Sequence, residues 1–505
     1  MKRRTFLGSG LAILAGCHRE EKLVQPGQTL EDLAAGLRSG DLSAEKVLAH
    51  YLQRITALDQ AGPKLRAVLE LNPDVHTIHG KGPLRGIPIL IKDNIETADR
   101  METTAGSLAL LGSRRPERDA FLVQRLRQAG ATILGKTNLS EWANIRSFSS
   151  TSGWSARGGL TLNPYNAEHT ASGSSSGSAV AVAAGLCAAA IGTETNGSIV
   201  SPASICGIVG LKPTVGLISR AGIIPITHWQ DTAGPMTRTV RDAALLLNVL
   251  AGVDERDPFT LKATEHLHGD YAFGLAADGL KGKRLGVLQS MSGRNKAVLK
   301  LFDQSLDRMR EAGAEIVEDV TIPNHREAAS TAGHVMLTDF RQELNAYLLQ
   351  RGATVSSLAD LIAYNQEFGG MEMKHFNQEY FIEAETRNTP EHLAEAEKLR
   401  AVSLRLAGPE GLDAALKKDR LDALICPTND PAGRVNLELG DARSRGFGTA
   451  AAVAGYPHLT VPMGMVDDLP IGLSFVGTAW SEAQLLGLGH AFEKVREFQP
   501  SPLFA

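Results

Sequence analysis

A serine hydroxyl becomes a useful nucleophile only when a neighbouring group takes its proton, and one stretch of this chain concentrates candidate hydroxyls. Ser172 to Ser198 reads Ser-Gly-Ser-Ser-Ser-Gly-Ser, then a small apolar run, then Thr-Glu-Thr-Asn-Gly-Ser. Its small residues let backbone amides and hydroxyls approach a ligand with no bulky side chain in the way. Ala179 to Ala190 is almost wholly Ala, Val, Leu and Gly, which excludes a flexible linker. That composition predicts a tightly buried helix pinning the two hydroxyl clusters at opposite ends of one packed element.

No histidine stands out as the base. Gly173-Ser-Ser175-Ser-Gly177 matches the nucleophile-elbow pattern, but that motif needs a strand before it, and Leu162 to Thr170 is a turn-rich loop. His458 and His490 then read as structural. Gly130 to Thr137 fits the phosphate-loop pattern letter for letter, yet its Ala-Thr-Ile-Leu core is an apolar, β-rich run that reads as a buried strand. The 14 histidines do not cluster with acids at ligand spacing, and His76 with His79 sits in a polar loop, so no metal site is assigned and no cofactor is expected. A lysine is the remaining base. Lys92 closes the apolar strand that begins Gly86-Ile-Pro-Ile-Leu-Ile, where burial would disfavour its ammonium form, with the Asp93 side chain turned away. On these residues alone the favoured reading of Lys92 is a solvated lysine at a strand end.

The elements that must position these groups alternate. Thr29 can cap a helix carrying Leu30, Leu33 and Leu37, with Asp32 placed for a capping box. Ser43 caps a second helix whose apolar positions run from Val47 to Leu58. A helix over 119–128 and a strand over 131–134 follow, with further strands at 285–288, 316–320, 423–427, 458–462 and 471–476. The pattern is α/β with a mixed sheet flanked by helices. Residues from about 323 to 419 are helical, polar and poor in glycine, and read as a cap inserted into a single domain spanning 29–500.

The N-terminus differs from the rest. Lys2, Arg3 and Arg4 precede a short apolar run ending Leu14-Ala-Gly-Cys17. Residues 1–16 read as a twin-arginine-like signal peptide with a lipoprotein cleavage box, leaving Cys17 as a lipidated first residue on a tether over 17–28. The expected location is the periplasm or cell envelope, with membrane contact only through that lipid, or the cytoplasm if the signal is unused. The remaining Cys187, Cys206 and Cys426 form an odd set and read as buried apolar fillers, with no disulfide framework. The formal net charge of −4 and the lack of a basic patch exclude a nucleic-acid surface, leaving a small-molecule or peptide partner.

Five ordered blocks carry a resemblance. The Lys92-Asp-Asn strand end, Gly135-Lys-Thr-Asn-Leu-Ser-Glu141, Ser172 to Ser178, Gly192 to Ser198 and Gly207-Ile-Val-Gly-Leu-Lys-Pro213 together resemble the amidase signature family. The resemblance extends through Asp231 to Val240 and the closing Leu459-Thr-Val-Pro, covering nearly all of 30–490 apart from the cap. It implies the family's fold and a Ser-cisSer-Lys triad, with Ser198 the nucleophile, Ser174 the bridging serine and Lys92 the base. The cis bond would join Gly173 to Ser174, with Ser175 in support, and the backbone amides of Thr195, Asn196 and Gly197 would form the oxyanion hole.

The chain departs from the usual pattern at Ser172, Ser176 and Asn196, where glycines are common, at Glu194 in place of Asp, and at Val200 in place of Arg. Peptide amidases, which remove C-terminal amides, are the subgroup it is most similar to. The expected function is therefore hydrolysis of a carboxamide through a Ser198 acyl-enzyme. The alternatives are a non-catalytic surface lipoprotein that binds amides or peptides, and an amidotransferase subunit.

Overall fold

A computed structural model describes residues 23–25, 27–75, 81–441 and 448–498. The signal segment, Cys17 and the His76/His79 pair lie outside the described residues.

The helix Leu30–Ser39 starts on the expected capping box: Thr29 Oγ1 accepts from the Asp32 amide at 3.0 Å, and Asp32 accepts from the Thr29 amide at 3.2 Å. The second helix, Ala44–Arg54, is capped by Ser43 but does not continue regularly to Leu58. It widens into a π-helical turn over Ile55–Gln60, which carries Asp59 inward to accept from the Ala67 amide at 2.6 Å. The run of 119–134 divides into the helix Phe121–Gln128 and the buried strand Thr132–Thr137.

Among the described residues eleven strands form one mixed sheet. From one edge it runs Val68–Leu71, Thr132–Thr137, Pro88–Lys92, Ala189–Glu194, Thr232–Thr237 and Val209–Lys212. It then continues through His458–Val466, Leu469–Val476, Ala423–Pro427, Arg284–Val287 and Glu315–Val317. Pro88–Lys92 pairs in parallel with both its neighbours, whereas Ala189–Glu194 and Thr232–Thr237 run antiparallel to each other. The two ends of the sequence meet where Val209–Lys212 pairs with His458–Val466. One continuous apolar core lies under both halves of the sheet. Cys187, Cys206 and Cys426 are buried free thiols.

The apolar run after the serines departs from expectation. The helix covers only Ser176–Ala183, Gly185 turns the chain at φ 67°, and Ala189–Glu194 is a strand. The two hydroxyl clusters are therefore not at opposite ends of one element. The chain doubles back, and the Ser175 amide donates to the Ser198 carbonyl at 3.1 Å.

Between Pro323 and Asp419 the chain is helical, with His325–Arg351, Leu358–Glu367, Glu379–Thr386 and Pro390–Ala407 as its main members. Phe340, Leu344, Leu348, Leu358, Leu361 and Phe381 form a separate cluster that packs on Ala105, Leu110, Trp142, Ile145, Ile224 and Ile226. No described helix is long and apolar enough to cross a membrane.

Candidate active site

Lys92 ends a strand of Pro, Ile, Leu and Ile that is buried at every position. The parallel register sets Ile91 opposite Ile191, so one residue on, Lys92 reaches the level of Gly192 and Thr193. Its Nζ lies 2.7 Å from Ser174 Oγ, 2.9 Å from Thr193 Oγ1 and 3.2 Å from the Thr193 carbonyl. Asn94 Nδ2 donates to the same Thr193 Oγ1 at 3.0 Å. Neither Thr193 nor Asn94 receives a role from the sequence, although both sit inside the quoted blocks.

The amine is fully buried, which pushes its pKa down to about 7 against the opposing pull of Glu194 and Asp231. Asp93 is turned away, as expected. Its carboxylate accepts from Thr104 Oγ1 at 2.5 Å and from the Gly106 amide at 3.1 Å, and it faces Arg157 at 3.4 Å. A neutral amine has two N–H donors and one lone pair. The Thr193 carbonyl can only accept, so it takes one of the N–H donors. The Ser174 and Thr193 hydroxyls can each donate or accept, so the second N–H and the lone pair are shared between these two oxygens, and Ser174 is the nearer.

Ser174 follows a cis peptide bond from Gly173. Its carbonyl accepts from the Ser140 amide at 3.0 Å. Gly173 has no room for a side chain, because a Cβ there would stand 2.1 Å from Ser140 Oγ. Ser175 donates its hydroxyl to the Thr193 carbonyl at 3.0 Å and accepts from the Thr193 amide at 3.2 Å. That double bond to a strand backbone occupies the hydroxyl and locks the start of the helix to the lysine's partner.

Ser198 is 8% exposed, at the end of a loop shaped by Glu194. One Glu194 oxygen accepts from the Gly197 amide at 2.7 Å, and the other from the Ile199 and Val200 amides at 2.7 and 3.1 Å. The Gly197 amide, expected in the oxyanion hole, is thus committed to Glu194 in this conformation. Its φ of 83° also places the left-handed turn at Gly197 rather than at Asn196. Asn196 keeps its backbone out of that region and projects to within 3.4 Å of Thr449 Oγ1. Thr195 Oγ1 donates to Asp231 at 2.5 Å, and Gln230 holds the Thr195 carbonyl at 3.2 Å. Burial drives the Asp231 carboxyl up to about 7.

Two of the departures from glycine compensate one another. Ser172 adopts φ 59°, a left-handed conformation that costs an ordinary residue about 1–2 kcal/mol. Its carbonyl accepts from Ser176 Oγ at 2.6 Å, and its hydroxyl pairs with Ser201 at 2.8 Å.

The phosphate-loop match is accounted for as well. Lys136 is buried in its strand, where its Nζ donates to the Ile95 carbonyl and, at 2.7 Å, to Thr103. His458 is buried and bonded to Ser474 at 2.7 Å, away from the serine cluster.

The Amidase family profile matches residues 52–486. A probable amidase of Arabidopsis thaliana is 39% identical over 497 residues, covering 94% of this chain and 91% of the relative. A glutamyl-tRNA(Gln) amidotransferase chain of Methylobacillus flagellatus is 33% identical over 507 residues, covering 93% and 97%. Among solved structures, the peptide amidase PAM in complex with the competitive inhibitor chymostatin aligns with a TM-score of 0.89 at 49% identity, over 95% of this chain and 99% of that one.

Proposed function

Because this chain belongs to the amidase signature family and is an amidohydrolase, we propose that it cleaves the C-terminal carboxamide of peptides through an acyl-enzyme on Ser198. Lys92 takes the Ser174 proton as Ser174 takes that of Ser198, and the Ser198 oxygen bonds to the carboxamide carbon. Negative charge then develops on the carbonyl oxygen, where the amides of Thr195 and Asn196 stabilise it. The Gly197 amide, held by Glu194, fixes how those two are presented. The C–N bond breaks as the relay returns a proton to the leaving nitrogen, which departs as ammonia. Water, activated by the same relay, hydrolyses the acyl ester and restores Ser198.

The observation that carries this reading is the lysine amine, fully buried within hydrogen-bond reach of Ser174 Oγ and of both Thr193 oxygens, where burial favours its neutral form. The peptide preference rests on the likeness to peptide amidases, one of them bound to the inhibitor chymostatin. In this reading the helices of 325–407 form a cap that selects the acyl group. Export by residues 1–16 and lipidation at Cys17 complete the proposal.

The test is ammonia release from matched peptide amides, aryl amides and fatty amides by the purified protein. Turnover favouring peptide amides is expected. Turnover confined to the other classes would refute the substrate while leaving the acyl-enzyme standing.

A further inference from the structure

Away from the serine cluster, a cavity of about 400 Å³ opens between the loop Arg114–Arg118, the turn at Ala221–Gly222 and the end of the helix His325–Arg351. Five guanidinium groups line it, from Arg114, Arg115, Arg118, Arg256 and Arg351, against two carboxylates, Glu96 and Glu117. Five positive charges less two negative leave a formal +3, in a chain whose net charge is −4. The concentration of positive charge is therefore local.

Both carboxylates are already engaged. Glu96 pairs with Arg351 Nε at 2.7 Å and accepts from the Tyr347 hydroxyl at 2.8 Å. Glu117 pairs with Arg114 at 2.6 Å. Arg256 leans on Asp254 at 3.1 Å. Arg115 and Arg118 make no hydrogen bond or ion pair among the described residues. The Arg351 side chain is only 8% exposed, and its Nη1 is buried without an acceptor. A buried donor left unpaired is destabilising, and more so when the group is charged. The wall is thus rich in donors and short of acceptors.

We propose that this cavity binds a multiply charged oxyanion of the phosphate class, held by Arg115 and Arg118 at the mouth and by Arg351 at the base. Guanidinium forks match phosphate oxygens in bidentate geometry, which a chloride ion cannot exploit. The same chemistry is offered by free phosphate and by the phosphomonoester headgroup of an anionic phospholipid. This site is independent of the serine cluster, so its failure would leave the amidase reading untouched.

The experiment is thermal denaturation of the whole protein titrated with inorganic phosphate or pyrophosphate, at ionic strength held constant with sodium chloride. A saturable rise in Tm is expected. The R115Q/R118Q variant, altered only at exposed side chains outside the amide site, should need at least tenfold more ligand and retain wild-type amide hydrolysis. Co-sedimentation with phosphatidylcholine vesicles with or without phosphatidic acid separates the two sources. Arginine-dependent binding only to the anionic vesicles would assign the site to a lipid headgroup. The proposal is overturned if phosphate acts no differently from chloride and the vesicles do not bind. It is equally overturned if the double variant responds like wild type.

Discussion

Glu194 supplies the sharpest perturbation, because a single carboxylate organises the loop that carries Ser198. Its two oxygens accept three backbone amides, from Gly197, Ile199 and Val200. Glu194→Gln leaves one acceptor oxygen and substitutes an NH2 for the other. If the remaining oxygen keeps Ile199 and Val200, the new NH2 faces the Gly197 N–H, donor against donor. The minimum loss is one charge-assisted hydrogen bond, about 1.5–3 kcal/mol. If that loss falls on the transition state, kcat should drop about 10- to 150-fold with little change in KM.

The charge effect has a separate sign. Glu194 raises the Lys92 pKa, so its removal lets burial depress that pKa below about 7. Neutral Lys92 is the active form, and the acidic limb of the kcat profile should therefore move to lower pH. Steady-state ammonia release across pH measures both effects. A Glu194→Gln enzyme with wild-type kcat and an unmoved acidic limb would refute the role given to this carboxylate.

Further outcomes follow from the same geometry. Thr193→Val removes an acceptor of Lys92 and should lower kcat about 10- to 150-fold, while Thr193→Ser keeps the oxygen and most of the activity; equal rates for the two would remove Thr193 from the relay. Gly173→Ala places a Cβ 2.1 Å from Ser140 Oγ, so the urea midpoint should reflect an overpacking cost of about 1–3 kcal/mol, with activity lost through the displaced Ser174; an unchanged midpoint would contradict this. Lys92→Met should reduce kcat about 10²–10⁴-fold at neutral pH. The same variant tests proton linkage. Between about 7 and the ordinary lysine value of 10.5 the unfolded chain binds the Lys92 proton and the folded one does not, so this group makes stability rise with pH. The stability of wild type relative to Lys92→Met, read from urea midpoints, should climb through that window and stay flat if Lys92 is charged in the fold.

The parts of this site that are legible in the sequence are those encoded by local pattern. The capping box at Thr29, the apolar strand before Lys92 and the five blocks each sit within a few residues, and the structure reproduces the box and the strand. The run from Ala179 to Ala190 reads as one helix because a fully buried segment shows no polar face, so its periodicity cannot separate helix from strand. Gly185, at φ 67°, is the signal for the break. Thr193 and Asn94 are silent because their contact depends on the register between two parallel strands, which no local spacing specifies. The bond from the Gly197 amide to Glu194 is silent for a similar reason, since nothing local requires a carboxylate three residues earlier to reach forward to that amide.

Catalysis as proposed depends on acylation of Ser198 through a relay ending in Lys92. Intact-protein mass spectrometry after treatment with a fluorophosphonate, followed by peptide mapping, tests it most directly. One adduct is expected, on Ser198, absent in Ser198→Ala and strongly slowed in Lys92→Met and Ser174→Ala. An adduct on Ser175, or undiminished amide turnover by Ser198→Ala, would contradict it.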